Sequence, residues 1–320
     1  MNQRSLNEVY SKSSMRRRYE VWFLKLMLAD GSGAWWFRYL LLNLGRSGSS
    51  GCPNNSRGMP VQVWATWFPK DGKPQGFIQG LSQDRLSFSA PGTQPFHLRA
   101  GDNRIGEDAC AGRVAADGQV ITWDLRYRST VGVTMSDVGW IGFSRTPHSD
   151  AVFSGEITFD GRSFRGEPLG YGLQGHNCGY RHRNRWNWAH CVALDAARGL
   201  STFEALEYEI GLGLRFRRAL LWHEGKLYTF KKFSDVSRDP ERLRWGFKCS
   251  SPREGLVLTV DLDGGGPSLH RLPYLKTDCS GSFEVANNSL AQATLYLSRR
   301  GQLPEQISAN GGAVLEMGGV

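Results

Sequence analysis

The chain lacks most of the signatures that identify a common biochemistry. It has no CxxC pair, no zinc-finger spacing, no helix-turn-helix pattern and no glycine-rich phosphate loop. Without a dinucleotide fingerprint, no redox or organic cofactor is expected, and no metal. Helical periodicity is almost absent over windows longer than about ten residues. The first apolar run, VWFLKLML, is too short and too charged to span a bilayer. Six cysteines (Cys52, Cys110, Cys178, Cys191, Cys249 and Cys279) are scattered through 320 residues. The N-terminus, MNQRSLNEVYSKSSMRRRYE, is polar and has no apolar signal core. A cytoplasmic chain with reduced thiols is therefore expected.

Acidic residues are also in deficit: 30 Asp and Glu face 39 Lys and Arg, a net charge of +9. The excess gathers in short clusters, Arg16–Arg18, Arg181, Arg183 and Arg185, and Arg215, Arg217 and Arg218. With no nucleic-acid motif beside them, these read as a soluble basic surface and not as a nucleic-acid interface. Peripheral contact with an anionic membrane is the alternative. The oligomeric state leaves no trace in the sequence.

What is abundant is glycine, 39 residues, and tryptophan, 11. Glycine supplies positive φ in tight turns, and aromatic rings pack on pleated surfaces. Short apolar runs joined by turn residues recur, such as AVFSGEITF-DG-RSFRGEPLG and RALLWH-EGK-LYTFKKF. These are hairpin signatures, and their spacing predicts an all-β chain. So many strands in one open sheet would leave edges exposed, so two barrel-like halves are expected. An N-terminal arm would occupy 1–18, one barrel 19–165 and a second 166–320, with 47–60 a surface loop. The SDVSRDPERL stretch (234–243) could hold a helical turn, and Asn287 and Asn288 read as a turn before a strand.

The segment 170–191, GYGLQGHNCGYRHRNRWNWAHC, is the most site-like. His176, Cys178, His182, His190 and Cys191 offer zinc ligand types, but their spacing fits no zinc framework. His190 and Cys191 are adjacent, so on a strand they point to opposite faces. A Cys–His nucleophile would need Cys178 or Cys191 as a thiolate, whereas cysteine more often serves as a small buried filler. The third reading is a lined cavity. In RWNWAHC, Trp186, Trp188 and His190 share one face and Asn187, Ala189 and Cys191 the other. A small face turned inward would leave a hole for a ligand.

The same segment resembles the signature of the superfamily containing tocopherol cyclase, hydroxyneurosporene synthase (carotenoid 1,2-hydratase) and AttH-type proteins. YEVWFLKLMLADGSGAWWFRYLLLN resembles its opening hairpin, HEGKLYTF a later hairpin and GAVLEMGG its closing strand. The pieces run from about residue 19 to 319, and their order is more specific than any one alone. The resemblance implies two consecutive lipocalin-like antiparallel β-barrels with a ligand site at or near their interface. It implies activity on apolar substrates, through alkene hydration, prenyl cyclisation or polyene cycloaddition. The chain looks closest to the uncharacterised bacterial branch. Cys178 stands where the family usually has tryptophan, which changes the cavity wall.

Protonating an alkene needs a dry acid, and the carbocation formed needs aromatic faces. The candidates for catalysis are His176, Glu204, His190 and Glu20. Those for substrate binding are Asn177, Cys178, Trp22, Trp186, Trp188 and Tyr208. Each also has a structural reading: His176 and Asn177 as braces, the tryptophans as core. The expectation is a cyclase, isomerase or hydratase acting on a polyene or prenylated molecule in natural-product or isoprenoid metabolism, with a non-catalytic carrier as the alternative. On the catalytic reading, His176→Ala abolishes turnover and leaves the melting temperature almost unchanged.

Overall fold

The computed structural model describes residues 6–10, 18–43, 59–90, 93, 95–116, 118–182, 185–195, 199–277 and 280–319. The hairpin runs become strands. The first group is β1 (Arg18–Leu28), β2 (Gly33–Asn43), β3 (Val61–Pro69), β4 (Gln75–Leu81), β5 (Leu86–Phe88), β6 (His97–Ala100), β7 (Asn103–Gly106), β8 (Ala109–Ala116), β9 (Gln119–Arg128), β10 (Val133–Asp137), β11 (Gly142–Phe159) and β12 (Arg162–Gly179). The second is β13 (Trp186–Asp195), β14 (Gly199–Gly211), β15 (Leu214–His223), β16 (Lys226–Phe230), β17 (Lys232–Asp239), β18 (Arg244–Ser251), β19 (Leu256–Asp263), β20 (His270–Leu275), β21 (Ser282–Arg299) and β22 (Glu305–Gly318). Two-residue turns with positive φ at both positions join β11 to β12, at Asp160 and Gly161, and β15 to β16, at Glu224 and Gly225. Such turns match the twist of the strands they connect.

The first sheet runs β4-β3-β2-β1-β12-β11-β9-β8-β7-β6-β5, with β10 on β11. The second runs β16-β15-β14-β13-β22-β21-β19-β18-β17, with β20 on β21. Strand twist curls each sheet around its own apolar face. In the second, Glu207 on β14 holds Arg238 on β17, joining strands far apart in the order. The result is the pair of lipocalin-like antiparallel barrels that the sequence led us to expect. Among the described residues, no helix is long and apolar enough to cross a membrane.

Alternation decides which core each residue serves. On β1, Trp22, Leu24, Leu26 and Leu28 enter the first barrel with Phe37, Trp123 and Phe153. The opposite face carries Phe23, which packs with Trp36, Trp64, Leu272 and Tyr274 in a seam between the barrels. On β13, Ala189 and Cys191 turn into the second barrel while Trp186 and Trp188 stay in the seam. Burying one such aromatic side chain stabilises the fold by on the order of 2 kcal/mol. Behind the small face of β13, where a hole was expected, the second barrel carries large side chains. Phe203, Phe230, Trp245 and Phe247 fill that interior.

Several expectations change. The first sheet ends at Gly179 and the second begins at Trp186, so the sheets change between them and the division drawn at 165/166 lies inside β12. The hairpin over 154–165 looked like an ending because its turn is strong, yet β12 continues to pair with β1. Residues 234–239 of the supposed helical turn lie in β17. Asn287 and Asn288 lie inside β21, at a register shift. Asn288 Nδ2 donates to the Gly264 carbonyl at 2.9 Å, and Asn288 Oδ1 accepts from the Leu290 amide at 2.7 Å, so asparagine chemistry there serves a bulge. Most of the 47–60 loop, residues 11–17 of the arm, and Cys52 and Cys279 lie outside the described residues.

Candidate functional site

A cavity of about 410 Å³ opens in the seam. Tyr19, Phe23 and Trp36 form the wall on the first barrel, and Trp186, Trp188 and Tyr208 the wall on the second. Two of the rings are seated on glycines. A Cβ at Gly175 would lie 2.2 Å from the Phe23 ring, and one at Gly318 would lie 2.1 Å from the Trp186 ring. Phe23 then meets Trp188 edge to face at 5.5 Å. At the mouth, Trp140 stands 67% exposed.

Of the residues expected to bind substrate, Asn177, Cys178, Trp186, Trp188 and Tyr208 border this cavity. Trp22 does not; it belongs to the interior of the first barrel. None of the four expected catalytic residues, His176, Glu204, His190 and Glu20, is on the lining. His176 pairs in register with Trp22, so both turn into the first barrel. There His176 Nε2 lies 2.9 Å from Glu20 Oε1, and Nδ1 donates to the Leu6 carbonyl at 2.7 Å. The Tyr10 amide donates to the same Glu20 oxygen at 2.7 Å. The indole of Trp22, which donates to the Asn7 carbonyl at 3.1 Å, stacks on the His176 ring at 4.5 Å. The pair therefore fastens residues 6–10 over the barrel and faces away from the cavity.

Glu204 and His190 are cross-strand partners in the seam, behind Trp188. Glu204 accepts from the Trp188 indole at 2.9 Å and from the Thr146 hydroxyl at 2.8 Å. Burial outweighs those two hydrogen bonds and raises its carboxyl to about 7. His190 donates through Nε2 to the Ser149 carbonyl at 2.8 Å, and burial holds its ring neutral, down to about 3. The neighbouring Lys25 is buried in the seam as well, and burial lowers its amine well below the usual lysine range. Burial raises the Cys191 thiol to about 12, which removes it as a nucleophile near neutral pH. Among the described residues, no group of three or more His, Cys, Asp or Glu is placed to hold a metal.

The polar side chains lining the cavity include Arg38, Asn177, His182 and Glu316, with Arg181, Ser136 and Ser144 beside them. Glu316 accepts from the Trp186 indole at 3.0 Å, the Tyr274 hydroxyl at 2.9 Å and Asn287 Nδ2 at 3.1 Å. It fixes two aromatic walls in place. His182 stacks on Tyr19 at 4.1 Å, and burial, with the nearby charge of Arg38, lowers its ring to about 3. Its Nε2 and Asn177 Oδ1 are buried without a hydrogen-bond partner. Arg38 and Glu316 escaped the sequence reading. The available signal for Arg38 was a lone charge between apolar neighbours in AWWFRYLLLN, two residues from Trp36 and so on the same face.

No protein-family profile matches this sequence, and no curated protein matches it. Solved structures do. CghA superposes with a TM-score of 0.61 at 14% identity, covering 94% of this chain and 88% of that one. The chain has the same fold. Kievitone hydratase from Nectria haematococca gives 0.55 at 11% identity, over 98% of this chain and 94% of that one. A candidate AttH from Nitrosomonas europaea gives 0.53 at 12%, over 97% and 94%. The two-barrel architecture is thus shared along nearly the whole chain, while the side chains are not.

Two predictions follow from these placements. Replacing His176 by alanine frees the Leu6 carbonyl and Glu20, so the melting temperature should fall by several degrees and residues 6–10 should become protease-sensitive; an unchanged melting temperature with lost turnover would restore the catalytic reading. Glu204 has a folded pKa of about 7 against an ordinary 4.5, so its protonation favours the folded state. That stabilisation is complete below pH 4.5 and is lost as pH rises through 7. Glu204→Gln removes the loss, so above pH 7.5 the variant should exceed the native protein by about 3 kcal/mol relative to their difference at pH 4. Parallel stability curves from denaturant titration across that range would contradict the assignment.

Proposed function

We propose that this protein is a cofactor-independent enzyme of the cyclase or hydratase type, acting on an apolar, unsaturated small molecule held between the barrels. The observation that carries the reading is an aromatic cavity whose polar groups keep unused hydrogen-bonding capacity. Aromatic walls fix the conformation of a polyene or prenyl chain, and a buried donor polarises the group it touches. The shared fold with kievitone hydratase supports the same class. Glu20 and His176 face the other way, and Glu204 lies behind Trp188. That arrangement favours templating with polarisation by Arg38 over delivery of a proton from a buried acid. His182, neutral and with Nε2 open, accepts a hydrogen bond from a hydroxyl or a water. The setting we infer is natural-product or isoprenoid metabolism.

The test is incubation of the protein with an apolar extract of the source cells, followed by chromatography and mass spectrometry. A new isomer of unchanged mass indicates cyclisation, and a product heavier by one water indicates hydration. Trp188→Ala, which removes a wall, should slow either by roughly tenfold or more. A compound that binds and is released unaltered would identify a carrier and overturn the enzymatic reading.

A further inference from the structure

Arg38 leaves the outer face of the first barrel and enters the seam, 3% exposed. Its guanidinium lies over the Tyr274 ring at 3.9 Å and the Trp64 ring at 4.9 Å. Stacking of this kind recovers only part of the larger cost of removing the ion from water. The remaining compensation normally comes from a carboxylate or from several acceptors, because a guanidinium carries five N–H donors in a planar fork. Arg38 reaches neither. Among the described residues Arg38 makes no ion pair and no hydrogen bond, and its Nη1 is buried without a partner.

The nearby groups do not supply what is missing. Glu316, the carboxylate on the same cavity, has both oxygens engaged by Trp186, Tyr274 and Asn287. His182 is neutral and stacked on Tyr19, so it neither repels an anion nor neutralises the guanidinium. The unmet donors belong to a side chain stacked on two ring faces and bordering the cavity of about 410 Å³. Such an arrangement is complementary to a planar, charged oxygen group brought in by a guest.

We propose that Arg38 makes this cavity selective for an apolar molecule that ends in a monoanionic oxygen group of the carboxylate type, with the anion on the guanidinium and the chain along Phe23, Trp36 and Trp188. This deepens the proposed function and rests on its claim that the cavity takes the substrate. A guest anchored at one end is held in one direction, which is what templating of its unsaturated part requires.

The test uses cis-parinaric acid, a fluorescent polyene carboxylate, and its uncharged methyl ester, each titrated into the full-length protein. The acid should bind at least about tenfold tighter than the ester. Arg38→Met should bring that ratio close to one; Arg38→Gln serves if the methionine variant does not fold. Equal affinities in the native protein would overturn anion selection while leaving the cavity reading in place. A preference that survives removal of Arg38 would assign it to another cation, such as Arg181 on the same cavity, and overturn the proposal as well. Binding of neither probe would sink the cavity reading, and this inference with it.

Discussion

Strand β1 is buried on both faces, and its two faces belong to different cores. Trp22, Leu24 and Leu26 complete the first barrel, while Phe23 and Lys25 face the second. A slip of one residue would exchange the two sets and put a lysine into the barrel interior. The register is fixed from the far side by β12, where Gly170 and Gly172 lie against the β1 backbone. A Cβ at Gly172 would sit 1.8 Å from the Lys25 carbonyl oxygen, and one at Gly170 would sit 2.0 Å from that of Met27. Strands pressed this close admit only glycine, so the packing of the pair also sets which residues reach the seam.

The seam is where polar groups must be reconciled with burial. A buried donor or acceptor is costly unless it is paired. Deep in the seam the protein supplies partners for two of these groups, Thr146 and Trp188 for Glu204 and the Ser149 carbonyl for His190, but none for Lys25 Nζ. Around the cavity it does so for Glu316 but not for Arg38, His182 Nε2 or Asn177 Oδ1. The same strands thus carry both braced and open polar groups, and Arg38, His182 and Asn177 are open ones that border the cavity.

Much of this was legible in the residues. The DG and EG turns announced hairpins because positive φ at two successive positions has few other uses. The alternation in RWNWAHC placed Trp186 and Trp188 opposite Ala189 and Cys191, as the structure has it. What could not be read was direction. Whether His176 or Asn177 faces the cavity depends on pairing between β1 and β12, residues more than a hundred positions apart. A histidine flanked by glycines looks available locally, yet it closes on Glu20 and on the arm. The bulge at Asn288 had the composition of a turn, because both need an asparagine that bonds its own backbone. Arg38 was hidden for a related reason: a charge within an aromatic strand reads as surface until a second barrel covers it.

The central claim is that a guest lies between the barrels and inside neither. The most direct measurement is a crystal structure of the protein grown with a bromine-tagged fatty acid, located by the anomalous signal of bromine. The account predicts a peak in the seam, bounded by Phe23, Trp36 and Trp188, with the carboxylate toward Arg38. A peak inside either barrel, among Trp35 and Trp123 or among Trp245 and Phe247, would contradict it.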